Sequence, residues 1–244
     1  FEPPQIPEFA GHFKPNKTRA QRFRVWFGKL GEMALVSHLD LMRLFDRVTR
    51  RAQLPIAFTG GFHPGPRISP ASALSLGITS SGEIVDFELT ERVELTDFET
   101  RLRNALPAGM PVYKVEEISP KVLSATRSLA QAEYHIDLES EETVVSEAWS
   151  KWLNQLTETV EIPWEKTTKS GKKVQVNLRD RINNPEILDA NGPTAKIRVF
   201  GNCSNDGNQF HPEQFVIMLE QVTGKTVDLV HAHRQRLILK AEIA

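Results

Sequence analysis

Twice along its length the chain runs through the same succession of hydrophobic periods: strand, helix, strand, strand, helix, strand. That order admits few topologies. In the first pass Phe23, Val25 and Phe27 alternate with Arg22, Arg24 and Trp26, a strand period, and Gly28 and Gly31 predict a turn. Ser37-His38-Leu39-Asp40 has capping-box spacing, and Leu41, Leu44, Phe45 and Val48 follow at helical intervals until Pro55. A glycine- and proline-punctuated loop from Thr59 to Arg67 leads into strand-like stretches at 68–76 and 84–89. Thr96 and Glu99 predict a second capping box, with Phe98, Leu102 and Leu106 as the apolar face, and 112–118 closes the unit as a strand.

In the second pass 134–138 alternates as a strand, and Val145, Trp149, Trp152, Leu153 and Leu156 mark a helix. Residues 160–182 read as two strands joined by Lys169-Ser170-Gly171-Lys172, and 195–200 as another. Pro212 opens a helix faced by Phe215, Met218, Leu219 and Val222; 227–230 and 237–239 finish the sheet. The expectation is an α+β chain of two tandem ferredoxin-like (β-α-β-β-α-β) modules with antiparallel sheets. The first is placed at 20–120 and the second at 131–244, behind a proline-rich linker at 1–19 that follows a preceding domain. The pairing rests on element order, since no strict sequence repeat is visible.

Chemistry is bounded mainly by what is scarce. Cys203 is the one cysteine of 244 residues, so neither an internal disulfide nor a cysteine-ligated cluster is possible within the chain. No metal site is expected: His38 and Asp40, like His231 and His233, sit two apart without further ligands at a recognisable spacing. The net charge of -1 gives no global pull toward a polyanion, so any such binding needs local patches. No apolar run is long enough to span a bilayer, which fits a cytoplasmic protein without a membrane partner.

Four local patches stand out. Arg43, Arg47, Arg50 and Arg51 fall on one helical stripe that can grip successive phosphates, or else form a solvated face part-paired with Asp46. Residues 9–31 lack acids and carry Lys14, Lys17, Arg19, Arg22, Arg24 and Lys29 among aromatics, which suits backbone tracking or a half-buried strand. Lys166, Lys169, Lys172, Lys173, Arg179 and Arg181 form a basic hairpin, and His231, His233, Arg234 and Arg236 a basic terminal stretch. The Gly60–Ser69 loop presents His63 and Arg67 on a backbone free for positive φ, without the P-loop pattern. Convergence of these patches on one groove would make binding strongly salt-dependent.

The Ser37-His38-Leu39-Asp40-Leu41 block, Gly61-Phe62-His63-Pro64-Gly65-Pro66-Arg67-Ile68-Ser69, Leu76-Gly77 and Asp86-Phe87-Glu88-Leu89 together resemble the radical SAM-linked domain family. Lys169-Ser170-Gly171-Lys172 with Val176-Asn177-Leu178-Arg179 extends the resemblance over about 20–240. The family's loop has Asn where His63 stands and His where Gly65 stands. The resemblance implies a bacterial accessory domain of unknown function, fused to or partnered with a radical SAM protein. It places a 4Fe-4S cluster, S-adenosylmethionine and cobalamin in that partner, with no cofactor in this chain. The expected function is recognition of structured RNA, such as tRNA or rRNA, without catalysis by this chain alone. Arg22, Arg24, Arg43, Arg47, Arg50, Arg51, His63, Arg67, Lys169, Lys172, Lys173, Arg179, Arg234 and Arg236 would contact it. The alternatives are a metal-independent ribonuclease of the CRISPR repeat-processing type, with His38 or His63 as general base, and a pure protein-docking module.

Overall fold

A computed structural model of the chain describes residues 16–142, 144–167, 171–204 and 208–242. The elements in order are β1 (Gln21–Lys29), α1 (His38–Arg51), β2 (Ile68–Pro70), β3 (Thr79–Leu89), α2 (Leu95–Ala105) and β4 (Val112–Glu117). After the short α3 (Ala125–Ser128) come β5 (Leu129–Ser140), α4 (Ser146–Glu158), β6 (Pro163–Thr167), β7 (Lys173–Asn177), β8 (Ile182–Asn191), β9 (Thr194–Asn202), α5 (Glu213–Thr223) and β10 (Val227–Leu239).

The fold is mixed α+β, with one large, mostly antiparallel sheet ordered β4-β1-β3-β10-β5-β9-β8 and β2 added on β3. The two expected antiparallel sheets are therefore hydrogen-bonded into one. Their seam is a short parallel pairing of β3 with β10, His233 opposite Thr79 and Arg234 opposite Ser80, which occupies a backbone edge that β2 is too short to cover. Gly82 permits the approach: a Cβ there would lie 2.4 Å from the Cα of Arg236.

Alternation along the strands sends side chains to two cores on opposite faces of the sheet. Phe23, Val25, Phe27, Val85, Phe87 and Leu89 pack with Leu41, Phe45 and Val48 of α1 and Phe98 and Leu102 of α2. Ile84, on the other face of β3, joins Tyr134, Ile136, Val199, Trp149, Leu156, Phe215 and Met218 in the core under α4 and α5. The α1/α2 layer and the α4/α5 layer thus cover opposite faces.

Ser37 caps α1 as its spacing predicts, accepting from the Asp40 amide at 3.2 Å. The second capping box is corrected: α2 starts at Leu95 with Glu94 at the N-cap, and Thr96 lies inside the helix. β8 falls between 182 and 195, where no strand is expected; it forms as an edge strand with Asn183-Asn184-Pro185 near its start and a register shift between Asn183 and Glu186. The terminal stretch, expected as two strands, is one 13-residue strand with register shifts. Its polar middle is tolerated because Arg234 finds a buried counter-ion.

Candidate nucleic-acid interface

The amphipathic period of α1 turns Leu41, Phe45 and Val48 inward and leaves Arg43, Arg47, Arg50 and Arg51 exposed. Two of them are engaged along the helix: Arg43 with Asp40 at 2.9 Å and Arg50 with Asp46 at 3.0 Å. The hydroxyl of Ser37, and then Arg43, hold the Asp40 carboxyl below its ordinary range. Arg51 donates to the Ala105 carbonyl at the end of α2, while Arg47 has no ion pair among the described residues. Arg47 and Arg51 line a groove of about 310 Å³ between α1 and α2, floored by Leu44, Val48, Ala105 and Pro107. A groove with an apolar floor and guanidinium walls suits a phosphate beside a sugar or base.

The loop after α1 is rigid at its base and bare at its tip. Ala57 donates to Glu88, Arg67 to Ala57, and Thr59 to Gly65 through backbone bonds of 2.8, 2.8 and 2.9 Å. The Gly65 amide donates to the Thr59 hydroxyl at 2.9 Å, and Phe58 N–H ties the loop to the Asn16 carbonyl at 2.9 Å. Gly61, at φ 104°, makes the turn that a side chain would resist. Phe62 follows it and is fully exposed, at 101%; His63 beside it is exposed too. Burying a phenylalanine normally stabilises a chain by about 1.5–3 kcal/mol. A bare one on a pinned loop forgoes that gain, and a ligand stacked on it would recover it.

Cations surround the loop base. Arg19 pairs with Glu88 at 2.5 Å, Arg67 approaches the same carboxylate at 3.6 Å, and the Lys17 ammonium lies against Gly60. Arg67 also donates to the Phe58 carbonyl at 3.2 Å. Two guanidinium groups thus share one carboxylate and the Lys17 ammonium stands at Gly60, leaving net positive charge beneath an aromatic tip. Lys17 and Arg19 belong to the basic 9–31 patch, whereas Phe62 enters the site only with the structure. Gly-Phe between turn residues was the available signal, since an apolar side chain at a loop tip has no core to enter.

Three expected contacts are corrected because the structure buries them. Arg22 (3% exposed) donates to the carbonyls of Ser119 at 2.7 Å and Val122 at 2.5 Å, and burial lowers its pKa. Arg24 (4% exposed) makes a two-pronged pair with Asp86 at 2.7 and 3.1 Å and donates to Leu123, while Asp86 also accepts from the Ala125 amide. These two arginines anchor the connector between the halves. Arg234 (1% exposed) grips Glu83 at 2.7 and 2.5 Å and donates to Ala73 and Tyr134. Burial alone would lower its pKa; Glu83 outweighs that and raises it, and burial likewise pushes the Tyr134 phenol up. A strand period shows which face a residue takes but not whether another segment covers that face.

The remaining residues do not converge on α1. Lys169 lies outside the described residues. Lys172 and Lys173 are exposed on the β6–β7 hairpin, Lys173 against Glu165 at 2.7 Å, and Arg179 donates to Ile182 at 3.0 Å. The hairpin is rooted through Ile162, Leu178 and Trp164 in the α4/α5 core, on the opposite face of the sheet from α1. Arg236 is exposed and paired with Glu133 at 2.9 Å. His38 is half-buried, and its Nδ1 has no hydrogen-bond partner among the described residues. His231 and His233 share the Thr79 hydroxyl at 2.9 and 2.8 Å, and His233 also meets Ser81 at 3.0 Å. Among the described residues no three His, Cys, Asp or Glu side chains are grouped to hold a metal.

Residues 22–212 match a family described as an uncharacterized protein conserved in bacteria (DUF2344). No curated protein matches the sequence. Among solved structures, a chain of a Cbf5-Nop10-Gar1 complex aligns with a TM-score of 0.51 at 10% identity, over 88% of this chain and 48% of that one. A chain of the archaeal box H/ACA sRNP Nop10-Cbf5 complex aligns at 0.46 and 10%, over 91% and 49%. One from an H/ACA RNP bound to a substrate RNA containing 2'-deoxyuridine aligns at 0.42 and 9%, over 80% and 43%. The chain spans about half the length of these chains, and at such identity the likeness is one of fold.

Proposed function

The chain belongs to the uncharacterised bacterial family DUF2344, which brings no activity with it, and we propose that it is an RNA-recognition domain serving a catalytic partner. The observation that carries this reading is the fully exposed Phe62 on a loop whose base is pinned and ringed by Lys17, Arg19 and Arg67. An aromatic tip stacks on an unpaired base, and cations below it hold the neighbouring phosphates. Arg47 and Arg51 offer a second phosphate site in the α1/α2 groove. The β6–β7 lysines stand apart and are not needed for it.

In the same reading each half is a ferredoxin-like unit, 20–120 as β4-β1-β3-β2 and 131–244 as β10-β5-β9-β8, with the β6–β7 hairpin as an insertion. Of the linker expected at 1–19, residues 1–15 lie outside the described residues, and Asn16 and Arg19 bond to the first half. The partner, on the strength of the sequence resemblance, is a cytoplasmic radical SAM protein that holds the cluster, S-adenosylmethionine and cobalamin. The fold shared with a chain of a Cbf5-Nop10-Gar1 complex supplies a scaffold and is not the argument.

Fluorescence anisotropy with labelled bulk tRNA tests this. Phe62→Ala should weaken binding by about tenfold, the worth of one stacked base. Arg47→Glu should weaken it further and lower the slope of log affinity against log salt by about 1. Binding that is indifferent to salt, or unchanged in Phe62→Ala, overturns the reading.

A further inference from the structure

The part of the sheet that α4 and α5 leave uncovered carries a second arrangement. Tyr134, Ile136, Ile197 and Val199 enter the core, so Glu133, Arg198 and Phe200 face the other way. There a cross-strand row runs over four strands: Asn183 on β8 opposite Phe200 on β9, Phe200 opposite Glu133 on β5, and Glu133 opposite Arg236 on β10. The row borders an open depression of about 520 Å³ lined by Gln131, Asn183, Asn184, Phe200, Arg236 and Glu242.

Its chemistry is unusual for a bare sheet face. Phe200 is half-exposed, with the Arg198 guanidinium 5.9 Å from its ring centre. The side-chain amides of Gln131, Asn183 and Asn184 make no hydrogen bond to the described residues. Asn184 also holds a positive φ of 46°, a strained setting for a side chain, next to the register shift that ends at Glu186. Glu133, 8% exposed, accepts from Arg236 at 2.9 Å, and the second carboxylate, Glu242, is exposed at the rim.

An aromatic face supplies stacking, and free amides supply donors and acceptors in a plane. Arg236 stands against Glu133 and Glu242, and Arg198 against Glu186, so carboxylates outnumber guanidinium groups by one, which disfavours phosphate and favours a ligand edge rich in N–H donors. We infer that this depression binds a nucleobase presenting amino and imino donors, guanine above all, stacked on Phe200. It deepens the RNA-recognition reading and rests on it, by naming where a base splayed from the strand would be read.

Calorimetry with guanosine, uridine and ribose 5-phosphate on the purified chain tests it. Guanosine should bind, uridine more weakly, and ribose 5-phosphate not at all. Phe200→Ala should weaken guanosine by about tenfold. Asn183→Ala, an exposed side chain whose loss leaves the fold intact, should weaken it several-fold, and Lys173→Ala, on the hairpin that stands apart, should leave it unchanged. Absence of guanosine binding, or equal affinity in wild type, Phe200→Ala and Asn183→Ala, overturns the inference. If tRNA binding still depends on Phe62 in that case, the depression alone fails. If guanosine binds while tRNA does not, the recognition reading fails and the nucleoside site stands.

Discussion

Replacing Glu83 with alanine should be among the most destabilising single changes in the chain. Arg234 is 1% exposed and Glu83 3%, and their two-pronged pair sits where β3 meets β10. Removing the carboxylate leaves a guanidinium whose remaining contacts are the Ala73 carbonyl and the Tyr134 hydroxyl, both at 3.3 Å. An uncompensated buried charge costs about 3–5 kcal/mol, a large share of the ~5–15 kcal/mol that holds a domain together. The pair itself contributes far less, since desolvating both ions offsets most of their attraction. Urea unfolding of wild type, Glu83→Ala, Arg234→Met and the double variant Glu83→Leu/Arg234→Met separates these terms. The single loss of Glu83 should cost about 3 kcal/mol or more, and the double variant should recover most of it. A cost below about 1 kcal/mol for Glu83→Ala, or a double variant as unstable as the sum of the singles, refutes the account of Arg234 as a seam residue.

Two further outcomes follow from the same seam. Burial first, then His231, His135 and Lys196, lower the pKa of His233 against the opposing pull of Asp137. The unfolded chain therefore binds more protons below the ordinary histidine range, so thermal stability should fall as pH drops from 7 through about 6.5, and His233→Gln should flatten that fall. Gly82→Ala should cost about 1–3 kcal/mol in urea unfolding, because a methyl there meets the β10 backbone at 2.4 Å.

Most of the elements were legible because their periods are local. Leu41, Phe45 and Val48 announce α1, and Ser37 its start. The departures lie where distant segments decide. The stretch from Asn183 to Asn191 is not read as a strand from its sequence, yet β9 recruits it as an edge strand. The run from His231 to Arg236 reads as a break, yet Glu83, about 150 positions away, makes Arg234 an interior residue. Arg22 and Arg24 look like a basic strand face until the 119–125 connector lays its carbonyls across them. The site was half legible for the same reason. The α1 stripe is a matter of helical spacing and is exposed as expected, and the exposed loop carries His63 where the sequence puts it. That Arg19 and Arg67 meet at Glu88, with Lys17 beside Gly60, depends on pairing between segments, which no spacing encodes.

Ultraviolet cross-linking of the purified protein to tRNA, with the modified peptides mapped by mass spectrometry, puts the RNA-recognition account at greatest risk. It should find nucleotide adducts on the peptide that carries Phe62 and His63. Adducts confined to the β6–β7 hairpin, or none above a protein without RNA affinity, would contradict it.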